Sequence, residues 1–133
     1  MDRLFLDANV LFSAAYREDA GLVELWKLDD VELVTSAYAF EEARRNLSDD
    51  EQKERLQALV RRLSIVPESD VELGSNVKIQ EKDQPIFQAA IASKASHLIT
   101  GDRRDFGRYF GKQVAGIWVM PPRQYPDTKK RRC

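Results

Sequence analysis

"LFLDANVLFSA", Leu4 to Ala14, is the stretch from which the fold can be worked out. An apolar run is broken at Asp7, and Asn9 follows two residues later. Neither residue suits a strand interior, and burying either without a partner is costly. "RLFLDA" (Arg3–Ala8) therefore reads as a short buried strand bounded by its aspartate. "NVLFSAAY" then continues with apolar residues at helical spacing. "HLIT" repeats the pattern further on as a strand, and one glycine separates it from Asp102.

Working outward, Val31–Ser36 reads as a second strand, with Ser36 placed to cap the helix "AYAFEEARRNL". Gly21–Asp30 has Leu22, Leu25, Trp26 and Leu28 at helical intervals. Ser48–Leu63 reads as a helix opened by a capping box of Ser48 and Glu51. "SIVP" supplies a third strand, and "QPIFQAAIASKAS" a helix that tolerates Pro85 in its first turn. "GDRRDFGRYF" is a turn and short helix, and "AGIWVM" is a fifth strand after the fourth, "HLIT". Glu68–Gln84 is polar and poorly periodic. The expected organisation is one domain over 1–121 and an extended or disordered, Pro-rich, basic tail over 122–133. Strands alternating with helices, and apolar on both faces, predict an α/β fold of three layers. Its central parallel sheet has about five strands, with helices on both faces.

A chain of 133 residues suits one such domain. Hydrophobic residues make up 43% and charged residues 32%, with a mean hydropathy of −0.50, as in an ordinary globular protein. No apolar run approaches the roughly 18 residues of a membrane span. No secretory signal is apparent, and the single cysteine, Cys133, excludes an intramolecular disulfide and any cysteine metal cluster. A cytoplasmic location is expected. A net charge of −1 excludes a protein that coats nucleic acid non-specifically. Charge is nevertheless uneven, with Arg103, Arg104 and Arg108 beside aspartates and Lys129–Arg132 near the end.

In a parallel sheet the functional crevice lies at the carboxyl ends of the strands, where the strand order reverses. If strands one and four are neighbours, Asp7 and Asp102 meet at one edge. Asp105 lies three residues on from Asp102, Asp83 precedes the Pro85 helix, and Glu41 or Glu42 lies in the helix after strand two. Glu41 has Arg44 and Arg45 at i+3 and i+4, a surface ion-pair setting, so Glu42 is assigned to the site. Two like charges about 4 Å apart repel by roughly 4 kcal/mol at an effective dielectric near 20. A divalent cation removes that conflict, and oxygen-only ligands suit Mg²⁺ or Mn²⁺. No phosphate loop, dinucleotide fingerprint or nucleophile elbow is present. Metal-assisted attack by water is the chemistry left. Taken singly, each acid also has a plainer reading. Asp7 or Asn9 caps the next helix, Asp83 caps the Pro85 helix, and Asp102 and Asp105 complement a helix dipole. His97 reads as a partly exposed structural residue, Trp26 and Trp118 as core, and Lys129–Arg132 as a solvated tail.

These segments together, "LFLDANVLFSA", "VTSAYAFEEARRNL", "KDQPIFQAAIASKASHLITGDRRDF" and "GIWVM", resemble the PIN-domain ribonucleases over Leu4 to Met120. The resemblance implies a quartet of acids, Asp7, Glu42, Asp83 and Asp102, that binds Mg²⁺ or Mn²⁺ and cleaves RNA. Asp105 is an accessory or alternative fourth acid, because family members keep an acid at one place or the other and this chain has both. Asn9 and Thr100 match polar residues that steady the first and last aspartates, and Arg103, Arg104 and Arg108 are candidate phosphate contacts. The implied reaction is phosphodiester hydrolysis to a 5′-phosphate and a 3′-hydroxyl. Small stand-alone members resemble the toxin half of toxin–antitoxin pairs, which form homodimers and are blocked by an antitoxin laid across the acidic groove. Alternatives are an RNA-processing nuclease without an antitoxin, an inactive nucleic-acid-binding or protein-interaction module, and a phosphatase or DNA nuclease using the same acids.

Overall fold

Leu4, Phe5 and Leu6 have no exposed surface, and successive strand residues point to opposite sides, so β1 (Asp2–Leu6) is covered on both faces. In this computed structural model, which describes residues 1–75 and 77–126, β1 is an interior strand of a six-stranded sheet. It pairs in parallel with β2 (Val31–Ser36), Leu4 opposite Leu33. On its other side it pairs in parallel with β4 (His97–Ile99), Phe5 opposite Leu98. β3 (Ser64–Val66) flanks β2, while β6 (Ile117–Met120) and then β5 (Lys112–Val114) lie beyond β4. The order is β3-β2-β1-β4-β6-β5, parallel except for the β5–β6 pair. The chain runs outward from β1 to β3 and then returns to the other side of β1. The order therefore reverses between β1 and β4, as expected from sequence, and their carboxyl ends form the switch point.

Each strand of this central part feeds directly into a helix. α1 (Ala8–Tyr16) follows β1, α2 (Ala37–Asn46) follows β2, and α5 (Arg103–Phe106) follows β4. Ser36 caps α2 as anticipated, its hydroxyl accepting from Ala39 N at 3.2 Å. α3 (Asp50–Val60) packs on α1, and α4 (Gln84–Ala92), with Pro85 in its first turn, leads into β4. Phe87 of α4 stacks on Phe106 of α5 with ring centroids 6.4 Å apart, joining the two elements in the core.

Several local expectations are corrected. The capping box on α3 is Asp49 with Gln52, one residue later than Ser48 with Glu51, because Asp49 takes the extended conformation a cap requires. Gly21–Lys27 is a 3₁₀ segment rather than a longer α-helix. Trp26 is buried there and donates to Leu59 O at 3.0 Å, but Trp118 stands 41% exposed on β6 and is not core. His97 is buried rather than partly exposed, with Tyr125 edge-on to its ring at 5.0 Å. The sixth strand, β5, went unread because "KQV" is short and polar. Its hairpin turn is Ala115–Gly116, both residues at positive φ (52° and 82°), a two-residue turn whose usual Asn-Gly signal is missing. Within the tail, Tyr125 is fully buried and donates its hydroxyl to Asp2 Oδ2 at 2.7 Å, so the ordered fold runs past residue 121. The basic run Lys129–Arg132 lies outside the described residues.

Candidate active site

Asp7 is the first residue past β1, and its backbone N donates to Ile99 O on β4 at 3.0 Å, which ties the two strand ends together. As N-cap of α1 it accepts from Ala8 N through Oδ1 at 2.6 Å. Its other oxygen, Oδ2, accepts from Thr100 Oγ1 at 2.8 Å and from Asn9 Nδ2 at 3.1 Å. Thr100 Oγ1 accepts in turn from Asp102 N at 3.1 Å, and Asn9 Oδ1 accepts from Gly101 N at 2.8 Å. One polar network thus fixes both strand ends, with the two residues singled out as steadying groups, Asn9 and Thr100, at its centre. A β-carbon on Gly101 would stand 3.4 Å from Asn9 Oδ1, so the loop runs close to that side chain.

Asp102 is the N-cap of α5 and accepts from Asp105 N at 3.1 Å. Asp83 also stands at an N-cap position, before α4, but its side chain makes no capping bond. The plainer reading therefore holds for Asp7 and Asp102 as part of what they do, and fails for Asp83. Asp83 is buried, and its Oδ2 has no hydrogen-bond partner. Oxygens of Asp83, Asp102 and Asp105 lie within 4.8 Å of one another. Asp7, Glu42, Asp83 and Asp102 line one cleft of about 390 Å³, together with Asn9, Phe12, Asn46 and Lys82. Asp7 and Glu42 thus face the same space but stand outside the tight triad, of which Asp105 is a buried member.

The electrostatics carry the mark of this crowding. Burial raises the Asp7 carboxyl to about 6, against hydrogen bonds from Thr100 and Ala8 that lower it, and the charges of Glu42 and Asp102 raise it further. Asp83 is pushed up to about 8, first by burial, then by its hydrogen bond with Asp105 and by the charges of Asp105 and Asp7. The Lys82 ammonium offsets part of this. Tyr38, whose hydroxyl donates to Lys82 O at 2.7 Å, is raised by burial and by Glu42 and Asp83. Glu41 is the surface partner of Arg44, which lowers its carboxyl, so the assignment of Glu42 rather than Glu41 to the cleft agrees with the geometry.

This donor set fits a hard divalent cation. It offers only oxygen, it contains an orphaned buried carboxylate oxygen, and two of its members, Asp7 and Asp83, are raised by burial and by neighbouring carboxylates. Arg103, Arg104 and Arg108 are exposed on α5 and the 3₁₀ turn after it, and none lines the cleft. Phe12 and Lys82 do line it and were not singled out from sequence. Asn46 lies four residues on from Glu42, so its place on the same helix face was legible.

A family model described as the PIN domain matches residues 3–104, a span that includes Asp7, Glu42, Asp83 and Asp102 and stops just before Asp105. Among solved structures, VapBC2 from Rickettsia felis, bound to a DNA fragment from its promoter, is similar with a TM-score of 0.69 and 18% identity. That match covers 90% of this chain and 98% of the other. FitAB bound to the IR36 DNA fragment is similar with a TM-score of 0.60 and 21% identity, covering 90% and 94%. FitAcB from Neisseria gonorrhoeae gives a TM-score of 0.56 and 22% identity, covering 90% and 97%. No curated protein sequence matches the chain.

Proposed function

Because the chain belongs to the PIN domain family, we propose that it is a metal-dependent endoribonuclease that hydrolyses RNA phosphodiester bonds at the Asp7–Glu42–Asp83–Asp102–Asp105 cluster. The observation that carries this reading is the buried Asp83 Oδ2, left without a partner among three mutually close carboxylates. Helix capping does not account for that oxygen, burying it without a partner is costly, and a cation in the cleft supplies the partner it lacks.

Mg²⁺ or Mn²⁺, when bound, supplies the positive charge these carboxylates lack and activates water for in-line attack on phosphorus. The chain's own residues do the rest. Thr100 and Asn9 hold Asp7 Oδ2 in place, and the cap to Asp105 N fixes Asp102. Asp83 and Asp105 present close oxygens from two different elements. Lys82 brings one positive charge into the cleft, where the negative phosphate must enter. Arg103, Arg104 and Arg108, exposed beside the site, are read as contacts to the RNA backbone farther from the cut.

The resemblance to toxins of toxin–antitoxin pairs supports that role, with an antitoxin protein as partner and a homodimer as the working form. Two solved neighbours, VapBC2 and FitAB, were each determined on DNA. Among the described residues no helix is long and apolar enough to cross a membrane, and we read the protein as cytoplasmic. The deciding experiment incubates the protein with labelled single-stranded RNA, hairpin RNA and DNA, in Mn²⁺, in Mg²⁺ and in EDTA, beside Asp7→Asn. Metal-dependent RNA cleavage that disappears in Asp7→Asn is the expected result. Full activity in the variant refutes the assignment of Asp7, cleavage of DNA alone makes the protein a DNA nuclease, and inertness toward all three makes it a binding module.

A further inference from the structure

Phe12 forms part of the wall of the acidic cleft and also lines a second hollow, of about 380 Å³, on the same side of α1. Tyr16, one helical turn on, lines that second hollow with Arg17, Ala20, Gly21 and Leu22. The two rings lie 5.5 Å apart and are tilted by 36°. Tyr16 is 51% exposed, a large apolar surface left uncovered beside a cleft lined mostly by charged and polar residues. The pair is not loosely held. Arg55 of α3 donates to Ala15 O at 3.0 Å and to Tyr16 O at 3.2 Å, and Gln52 donates to Tyr16 O at 3.1 Å. These bonds satisfy the last carbonyls of α1 and anchor the end of the helix that carries the rings.

α1 therefore bears two unlike surfaces: a carboxylate, Asp7, at its start and an aromatic pair with an adjacent guanidinium at its end. At about 1.5 Å rise per residue, Tyr16 lies roughly 14 Å along the axis from Asp7. An acidic cleft repels a phosphate chain, so contacts insensitive to that charge add affinity to what Lys82 and a bound cation supply. Stacking of a base on an aromatic ring is one, because every base presents a π-face. Arg17, which pairs at 3.9 Å with the exposed Asp19, adds the cation that single-strand binding sites pair with such rings. We propose that the Phe12–Tyr16 hollow is a subsite for an unpaired nucleobase of the RNA strand whose phosphate occupies the acidic cleft. The proposal rests on the ribonuclease reading and adds to it a substrate form. A base must leave its stack to enter the hollow, so the strand is single-stranded or looped at that point.

The test uses the full chain and a short single-stranded RNA carrying 2-aminopurine at successive positions, its fluorescence read by stopped flow in Mn²⁺ before turnover. Stacking quenches this base. The wild-type protein is expected to quench it at one position, Tyr16→Ala to lose the quench and weaken the Kd about tenfold, and Tyr16→Phe to keep both. Replacing the quenched base by an abasic sugar should weaken wild-type binding and leave Tyr16→Ala binding unchanged, since the two changes remove the same contact. Quenching and affinity unaltered in Tyr16→Ala overturn the subsite while leaving cleavage intact. A quench that depends on Tyr16 in a protein that never cleaves upholds the subsite and refutes the nuclease. Absence of RNA binding, or a hollow filled instead by a protein segment with no quench at any position, overturns the subsite.

Discussion

Replacing Asp83 by asparagine should make the metal-free protein more stable, and more so the higher the pH. Its carboxyl is raised from 3.8 to about 8 by burial and by its neighbour Asp105. At about 1.4 kcal/mol per pH unit, that corresponds to a ceiling of about 6 kcal/mol on the ionised form. Asp83 borders a cleft open to water, so screening reduces the value, and about 3 kcal/mol is the working figure. The folded pKa lies above the unfolded one, so the folded state retains a proton that the unfolded state has released. The stabilisation is complete below about pH 4 and is lost as pH rises through about 8. The asparagine side chain carries no charge at any of these pH values, and its amide can donate toward Asp105. Thermal melts in EDTA, from about pH 5 to about pH 9, should show the gap between variant and wild type widening to roughly 10 °C at the alkaline end. Addition of Mn²⁺ should then stabilise the wild type and leave Asp83→Asn nearly unmoved. A gap that does not change with pH, or a variant less stable than wild type at about pH 9, refutes the claim that Asp83 is held under electrostatic strain.

Two further predictions address other parts of the same edge and fold. Thr100→Val removes the hydroxyl that donates to Asp7 Oδ2 and accepts from Asp102 N. It should cost about 1–3 kcal/mol in a chemical melt and weaken Mn²⁺ binding by at least tenfold in calorimetry. Ala115→Gly relieves a left-handed residue in the β5–β6 turn. It should raise stability by about 1 kcal/mol by the same melt and leave metal affinity unchanged.

What was legible in the sequence followed from local rules that tertiary structure did not have to override. β1 and β4 were readable because each is a short apolar run closed by a polar residue at its carboxyl end, and a strand covered on both faces needs continuous apolar character. Their adjacency came from topology, and it brought Asp7 and Asp102 together as expected. Asp105 was harder to place, because α5 is a single turn and periodicity says little over four residues. Its burial follows from Phe106 beside it, which enters the core against Phe87. The exposed arginines could not be aimed from sequence, since long charged side chains are positioned by solvent and by remote neighbours. Trp118 was misjudged because "IWVM" is apolar throughout, whereas the strand is buried at Ile117, Val119 and Met120 and exposed only at Trp118, which an unbroken apolar run does not signal. Tyr125 escaped notice because its prolines and charges suggest a tail, whereas burial of one ring against His97 and a hydrogen bond to Asp2 suffice to fasten it.

The sequence set capping and cation binding against each other as readings of the same acids, and the structure shows why they are compatible. A parallel sheet sends helices α1 and α5 away from neighbouring strand ends, so their amino termini converge at the switch point. The partial positive charge of those termini makes that edge the least costly place in the fold to gather carboxylates. Capping then uses one oxygen of Asp7 and one of Asp102, which fixes both side chains. Asp83 breaks the pattern: it sits at the start of α4 without capping it, buried and with an oxygen unpaired. Had capping been the whole purpose, Asp83 would bond the α4 backbone as the other two bond theirs. Its failure to do so, at the point where the other acids are closest, is what helix capping leaves unexplained and what the proposed ligand set accounts for.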